Sequence, residues 1–516
     1  MTAFDPSQAR VLALDPRRHA RVLGAPGSGK TALVVESFAR ATEFDGWVEG
    51  DVLVLAPNRL VATALRERVH SRVARAMGGA PVRTASSFAF SVLGRAAAES
   101  GEAPPRLLTG TVQDEAIAEV VSARINGAGQ RPEGGLAAEV LLSAPFRAEL
   151  RELWRVLDDF DLEPEALAGE LTRVLAESGQ HAFTAGPDPA LVERWLEALH
   201  LLHDVQIALA EMRSGEVSSS GLIRLAARAI REGHAAAPKL LIIDDAQELG
   251  EGQLSLIAAC ASAGTAVWAF GDPDIATGAF QGERTRVLAG LGTELARRGW
   301  TPPPGASDQL VVLETVYRHG SELRGFVRGL SGRIGAGGIV DHRGAEPAQD
   351  LGRSSSVEFA RVASPAEQLG SIAHRMRARK LGLDGGTRLE WGDMAVVCRT
   401  RAEVVRVARL LAGHQVPAGV AAGGIVLREH QIVRELVALL QHAIGIAPLD
   451  ASGVLRLAGG VIGGLDPVAV RRLRGALLLE ERRLAREQER DVEAVDAVVF
   501  DAFAFPGPSP AIDSAG

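Results

Sequence analysis

Eight residues constrain this chain more than any others: Gly24-Ala25-Pro26-Gly27-Ser28-Gly29-Lys30-Thr31 fits the pattern G-x-x-x-x-G-K-[ST]. The apolar pair Val22-Leu23 before it suits a short buried strand. Leu33-Val34-Val35 and Phe38-Ala39 after it suit the buried stripe of a helix. Such a chain joins strand to helix through a loop whose glycines let backbone N–H groups turn inward toward phosphate oxygens. The positive end of the following helix lies behind them. Lys30 would then reach the β- and γ-phosphates, and Thr31 would offer its hydroxyl to Mg²⁺. Only three of the 56 basic residues are lysine (Lys30, Lys239, Lys380). A sequence that writes nearly every cation as arginine keeps lysine where a compact point charge is needed.

The 516 residues exceed what one core organises, and about three domains are expected. A hydrophobic fraction of 47% with 23% charged residues is that of globular protein. Met1-Thr2-Ala3-Phe4-Asp5 lacks the layout of a signal peptide, and no apolar run reaches spanning length. Cys260 and Cys398 stand alone, which excludes a disulfide framework or a four-cysteine metal site. The expected compartment is a reducing cytoplasm, with no membrane partner. A net charge of −8 excludes a globally basic nucleic-acid footprint but leaves a local arginine groove open.

Along the chain, Pro6 opens a helix that carries Gln8 toward the loop. A glutamine amide offers the donor and acceptor that adenine's edge requires, although taken alone a surface glutamine is the better reading. Asp51 to Ala56 reads as a second buried strand, followed by Pro57-Asn58-Arg59 and an arginine-rich helix from Val61 to Arg75. Thr84, Ser86 and Ser87 offer hydroxyls to phosphates, and Phe88 or Phe90 offers a ring to a base. A helix cap with core aromatics explains the same residues as well. From about Ser91 to Gly233 the spacing is helical. Leu240 to Ile243 is a hydrophobic strand ending in Asp244-Asp245; one acid is placed to hold phosphate-bound Mg²⁺, the other to orient or deprotonate water. Ala266 to Phe270 and Leu310 to Leu313 read as further strands, the latter leading to the chain's one tyrosine, Tyr317, beside Arg318. That pair suits adenine stacking plus γ-phosphate contact, with an ordinary strand-end Tyr-Arg pair as the alternative. A second α/β unit is expected after residue 353, with strands at 357–362 and 393–399 and helices at 365–380, 402–411, 428–443 and 465–488.

The order of these pieces resembles superfamily 1 DNA helicases of the UvrD/Rep/PcrA type over about residues 4–440, most closely the AdnA-like subunits of actinobacterial AdnAB-type helicase–nucleases. The resemblance implies an α/β fold: a RecA-like P-loop motor domain (1–90 with 234–315) carrying a helical insertion (91–233). A second RecA-like domain (316–448) and the start of a helical accessory domain with a disordered tail (449–516) would follow. It implies ATP and Mg²⁺ as ligands, single-stranded or end-containing double-stranded DNA as partner, and a second helicase–nuclease subunit. By this resemblance Gln8 reads adenine, and Gly24 to Thr31 with Tyr317 and Arg318 bind ATP. Thr31 and Asp244 hold the metal. Lys30, Asp245, Gln247 and Arg318 carry hydrolysis, with Gln247 as a coupling residue. Asn58, Arg59, Thr84, Ser86, Ser87, Phe88 and Phe280 contact DNA. The activity implied is 3′–5′ translocation in double-strand break repair and recombination. No segment matches the family's late motifs or a nuclease acid cluster, so the chain is expected to stop inside the accessory domain. Asp245 stands where the family has glutamate and Ile275 where it has glutamine. These departures motivate a second expectation, a catalytically weakened ATP-binding subunit that grips DNA.

Overall fold

The computed structural model describes residues 4–44, 47–73, 79–127, 137–178, 188–275, 286–303, 307–335, 338–348, 356–383, 385, 388–420, 431–505 and 507. Its strands are β1 Ala20–Leu23, β2 Val52–Leu55, β3 Val82–Arg83, β4 Arg106–Leu107, β5 Glu216–Val217, β6 Leu240–Ile243, β7 Ala266–Gly271, β8 Gln309–Val312, β9 Thr315–Val316 and β10 Glu346–Pro347. Six of them form one parallel sheet in the order β3-β2-β6-β7-β1-β8. Val-Leu-Val-Leu in β2 and Leu-Leu-Ile-Ile in β6 are buried along their whole length. Such unbroken apolar runs suit strands covered on both faces.

Alternate residues feed two cores. Val22, Val54, Ile242, Trp268 and Phe270 pack with α1 Pro6–Leu12, α2 Lys30–Ala41 and α3 Arg59–Val73. Leu53, Leu55, Leu241, Ile243 and Val267 pack on the other face with α4 Ala85–Ser100 and two helices later in the chain. Between α4 and that return lie α5 Gly110–Gly127, α6 Ala138–Leu141, α7 Ala144–Phe160, α8 Pro164–Ser178 and α9 Pro189–Met212, which share a core of their own around Leu150, Trp154 and Leu202. The parallel pair β4–β5 closes the base of this helical insertion. The returning helices are α10 Ser219–Arg231 and α11 Glu251–Ser262; α12 Arg286–Ala289, α13 Leu291–Ala296 and α14 Ser321–Ser331 complete this part of the chain. Because the sheet is wholly parallel, the segments after β1, β2, β3, β6, β7 and β8 all emerge at one edge, where open α/β sheets bind ligands.

The chain divides into two compact units, Met1–Glu358 and Phe359–Gly516. Residues 316–335 and 338–348 therefore belong with the sheet, where β10 pairs with β9 in a separate two-stranded ladder just beyond β8. The second unit carries α15 Pro365–Leu381, α16 Arg401–Gly413, α17 Gln431–Ala443, α18 Ala451–Ala458, α19 Pro467–Glu487 and α20 Val495–Ala504, close to the expected helices. The strands expected at 357–362 and 393–399 do not form. The described residues there join no ladder, and Val397 is left 93% exposed and Phe359 81%. Apolar, β-branched sequence favours a pleated surface, but a strand exists only where a neighbouring backbone takes up its N–H and C=O groups. No described helix is long and apolar enough to cross a membrane.

Candidate functional site

Beyond β1 the chain turns through the expected loop. Gly27 (φ +83°) and Gly29 (φ +89°) adopt left-handed conformations that a side chain would strain. Helix α2 begins at Lys30 with Gly29 as its N-cap and no side-chain cap, so the N-cap residue leaves the N–H groups of the first turn free for a ligand. The Lys30 ammonium is 8% exposed and donates to the carbonyls of Gly24 (2.7 Å) and Ala25 (3.2 Å). Burial lowers its pKa, against the pull of Asp272, Asp245 and Asp244. The Ser28 hydroxyl is buried without a hydrogen-bond partner among the described residues.

Two strands away, β6 delivers the paired acids. The Asp244 N–H donates to the Leu55 carbonyl (3.0 Å), which fixes the residue beside β2. The Thr31 hydroxyl donates to Asp244 Oδ1 at 3.4 Å, while Asp244 Oδ2 is buried with no partner among the described residues. Burial, followed by the like charge of Asp245, pushes the Asp244 carboxyl up to about 6. An orphaned carboxylate oxygen beside a threonine hydroxyl fits a hard divalent cation with oxygen ligands. Asp245 has φ 52° and ψ 52° at the head of the turn Ala246–Glu248. Aspartate tolerates that left-handed geometry better than longer side chains do. The Gln247 amide spans two segments: Nε2 donates to Asp245 Oδ1 (3.1 Å) and Oε1 accepts from the Asp272 N–H (3.1 Å).

From β8 the chain crosses back over the loop. The Tyr317 N–H donates to the Gly27 carbonyl at 2.9 Å, and a Cβ on Gly27 would lie 2.7 Å from Arg318 Cβ. The Tyr317 hydroxyl donates to Asp5; burial and that neighbouring carboxylate push the phenol up to about 12. Asp5 caps α1, and Gln8, 7% exposed, donates from Nε2 to the Ser28 carbonyl (3.3 Å). Gln8, the phosphate loop, the acids, Tyr317 and Arg318 are thus brought to one place, and Gln8 is not the surface glutamine that its local sequence favoured.

Further along the same edge, a cleft of about 740 Å³ gathers Asn58, Arg59, Arg66, Thr84, Ser86, Ser87 and Phe90 beyond β2 and β3. Asn58 Oδ1 accepts from the Val61 N–H (3.0 Å) and Thr84 Oγ1 from the Ser87 N–H (3.3 Å). These residues therefore cap helices and line the cleft at once. Phe88 corrects the sequence reading: at 3% exposure its ring is packed in the core beneath α4, and no base can stack on it. Phe90, two residues on, faces out at 44%. Along a helix starting at Ala85, positions 85, 88, 89 and 92 share the buried face, which leaves 90 outside. Phe280 lies outside the described residues.

Sequence reasoning missed Asp5, His342 and Arg343. An acid just before a helix-opening proline is a readable cap signal, whereas nothing in the sequence around His342-Arg343 marks them. Their side chains reach the Gly271-Asp272-Pro273-Asp274 turn from 68 or more positions away.

A parallel sheet with a glycine loop after β1, paired acids after β6 and a helix rising from the loop is the nucleotide-binding core of a P-loop motor domain. The model of the UvrD/REP helicase N-terminal domain matches residues 4–290. The chain belongs to that family, and membership implies an ATP-dependent DNA helicase domain with ATP-binding and DNA-binding function. No curated protein matches the chain closely.

Proposed function

We propose that this chain is an ATP-dependent 3′–5′ DNA translocase or helicase subunit acting on single strands in double-strand break repair, working in the cytoplasm beside a second subunit. Residues 1–90 with 234–315 form its first motor domain and 91–233 the insertion. Residues 316–448 belong to the second motor domain, entered through a stretch whose Tyr317 N–H bonds the Gly27 carbonyl of the first, and 449–516 begin an accessory domain. The observation that carries this reading is Tyr317-Arg318 docked on Gly27. A strand that brings a guanidinium to the rim of a phosphate loop supplies positive charge where charge develops during phosphoryl transfer.

In this reading the loop N–H groups and Lys30 bind the phosphates, and Gln8 with the Tyr317 ring holds the base. Thr31 and Asp244 hold Mg²⁺, which when bound neutralises phosphate charge. Asp245 accepts the proton of the attacking water, with its carboxylate aimed by Gln247. Asn58, Arg59, Thr84, Ser86 and Ser87 contact the strand's phosphates, and Phe90 takes the stacking role first given to Phe88.

ATP hydrolysis measured with and without a single-stranded oligonucleotide tests this, with unwinding compared on 3′- and 5′-tailed duplexes. Stimulated turnover and 3′-tail preference support it. ATP binding without turnover favours the weakened-subunit reading, which rests on the short reach of Asp245. Asp245→Glu adds about 1.5 Å of reach. In the weakened subunit it raises turnover roughly tenfold, given the sensitivity of catalysis to ~1 Å displacements, and it costs ~1 kcal/mol of stability at a left-handed position.

A further inference from the structure

The turn Gly271-Asp272-Pro273-Asp274 sits at the end of β7, between the acids and the phosphate loop, and it buries both of its carboxylates. Buried acids are tolerated only with partners, and the partners come from the helical turn Asp341–Gly344. His342 Nε2 lies 3.0 Å from Asp274 Oδ2 and 3.3 Å from Asp272 Oδ1. Arg343 grips Asp274 with two bonds, Nε to Oδ2 at 2.8 Å and Nη2 to Oδ1 at 2.6 Å. The donor atoms of Asp272, Asp274 and His342 lie within 4.8 Å of one another. Both oxygens of Asp274 are already taken by the guanidinium, however, so Arg343 stands where a cation would sit.

Each end of this contact continues to a residue that the proposed function uses. On one side the Asp272 N–H is bonded to Gln247, and Gln247 to Asp245. On the other, buried Arg324 on α14 donates to the carbonyls of Ala345 (2.8 Å), Arg343 (2.8 Å) and His342 (3.4 Å). Helix α14 begins three residues after Arg318. Glu346 N–H and Ala348 N–H bond the carbonyls of Glu314 and Val316, which closes the loop onto the strand that carries Tyr317. Ile275, the residue in the family's glutamine position, is instead 41% exposed.

We propose that His342 and Arg343 are positioning residues for hydrolysis: they latch the Asp272–Asp274 turn to the Arg318 segment, so that Gln247 holds Asp245 in register with Arg318. They supply the link that Ile275 does not. This rests on the motor reading above. A shift of the 341–344 turn moves Asp272, its N–H moves Gln247, and Asp245 loses its aim.

The test uses the full 516-residue chain as wild type, R343M, R343K, D274N and the R343M/D274N double variant. Titration with a non-hydrolysable ATP analogue counts sites, and kcat and KM for ATP are measured at saturating single-stranded oligonucleotide. One analogue still binds per chain in R343M, KM stays within about twofold and kcat falls roughly tenfold, the order expected for a displaced catalytic group. R343K recovers part of the loss. D274N matches R343M, and the double variant is no worse than either, since both remove one link. An R343M chain with full analogue binding and wild-type kcat, or with raised KM and unchanged kcat, overturns the latch. If R343M does not fold, unchanged kcat in R343K overturns it equally. A wild-type chain without turnover defeats the motor reading and the latch together, whereas unaffected variants of a working wild type defeat the latch alone.

Discussion

The nucleotide end of the sheet edge and the cleft beyond β2 and β3 are built from opposite materials. Around β1, β6 and β7 the polar groups are buried and hold bonding capacity in reserve, as in Asp244 Oδ2 and the Ser28 hydroxyl. In the cleft, Asn58, Thr84 and Ser86 lie near the surface and already spend their oxygens on helix caps and on Ser219. A buried, charged site concentrates electrostatic energy on a small ligand. An open, arginine-lined one accumulates weak, salt-sensitive contacts along a polymer and tolerates the loss of any one.

The sharpest way to break this contrast is Lys30→Ala. ATP turnover falls on the order of a hundredfold or more, the scale on which a preorganised charge contributes, while single-strand affinity measured by fluorescence anisotropy changes by less than about twofold. Equal losses at both ends would mean that one site serves both ligands. Next come the two neighbouring phenylalanines. Phe88→Ala costs ~3–5 kcal/mol of stability as a core truncation. Phe90→Ala leaves thermal unfolding unchanged and weakens single-strand binding by ~1–3 kcal/mol, the worth of one stacked base.

The third test is the pH response. The Asp244 carboxyl, raised from 3.8 to about 6, binds a proton in the folded chain at pH values where the unfolded chain has released it. Stability therefore rises as pH falls from about 6 toward 4 and is lost as pH climbs through that window. The size is at most about 3 kcal/mol. Mg²⁺-dependent turnover runs the other way, dropping below pH 6 and partly restored by more Mg²⁺, because cation and proton compete for one carboxylate. Parallel pH profiles at low and high Mg²⁺ would remove Asp244 from the metal site.

Legibility followed the same divide. The phosphate loop, its flanking elements and the Asp244-Asp245 strand were readable because phosphate geometry forces glycine, lysine and threonine into fixed spacing. Tyr317-Arg318 was readable by resemblance. The cleft was ambiguous because Thr84 and Asn58 look like caps and are caps; their second role depends on which elements surround them. Phe88 and Phe90 differ only in helical phase, which turns on where α4 begins. His342-Arg343 were illegible since their partners are distant in sequence. At and beyond the boundary between the units the stretches at 357–362 and 393–399 have strand composition, yet sequence composition specifies no pairing partner.

The contact of Gly27 with Val316 and Arg318 binds two distant stretches of chain into one design choice. A methyl at position 27 and the present path of residues 316–318 exclude each other, the nearest approaches being 2.7 and 3.3 Å. Variants that enlarge position 27 will need a compensating displacement or trimming near 316, so a selection for revertants of Gly27→Ala should return changes clustered on that strand.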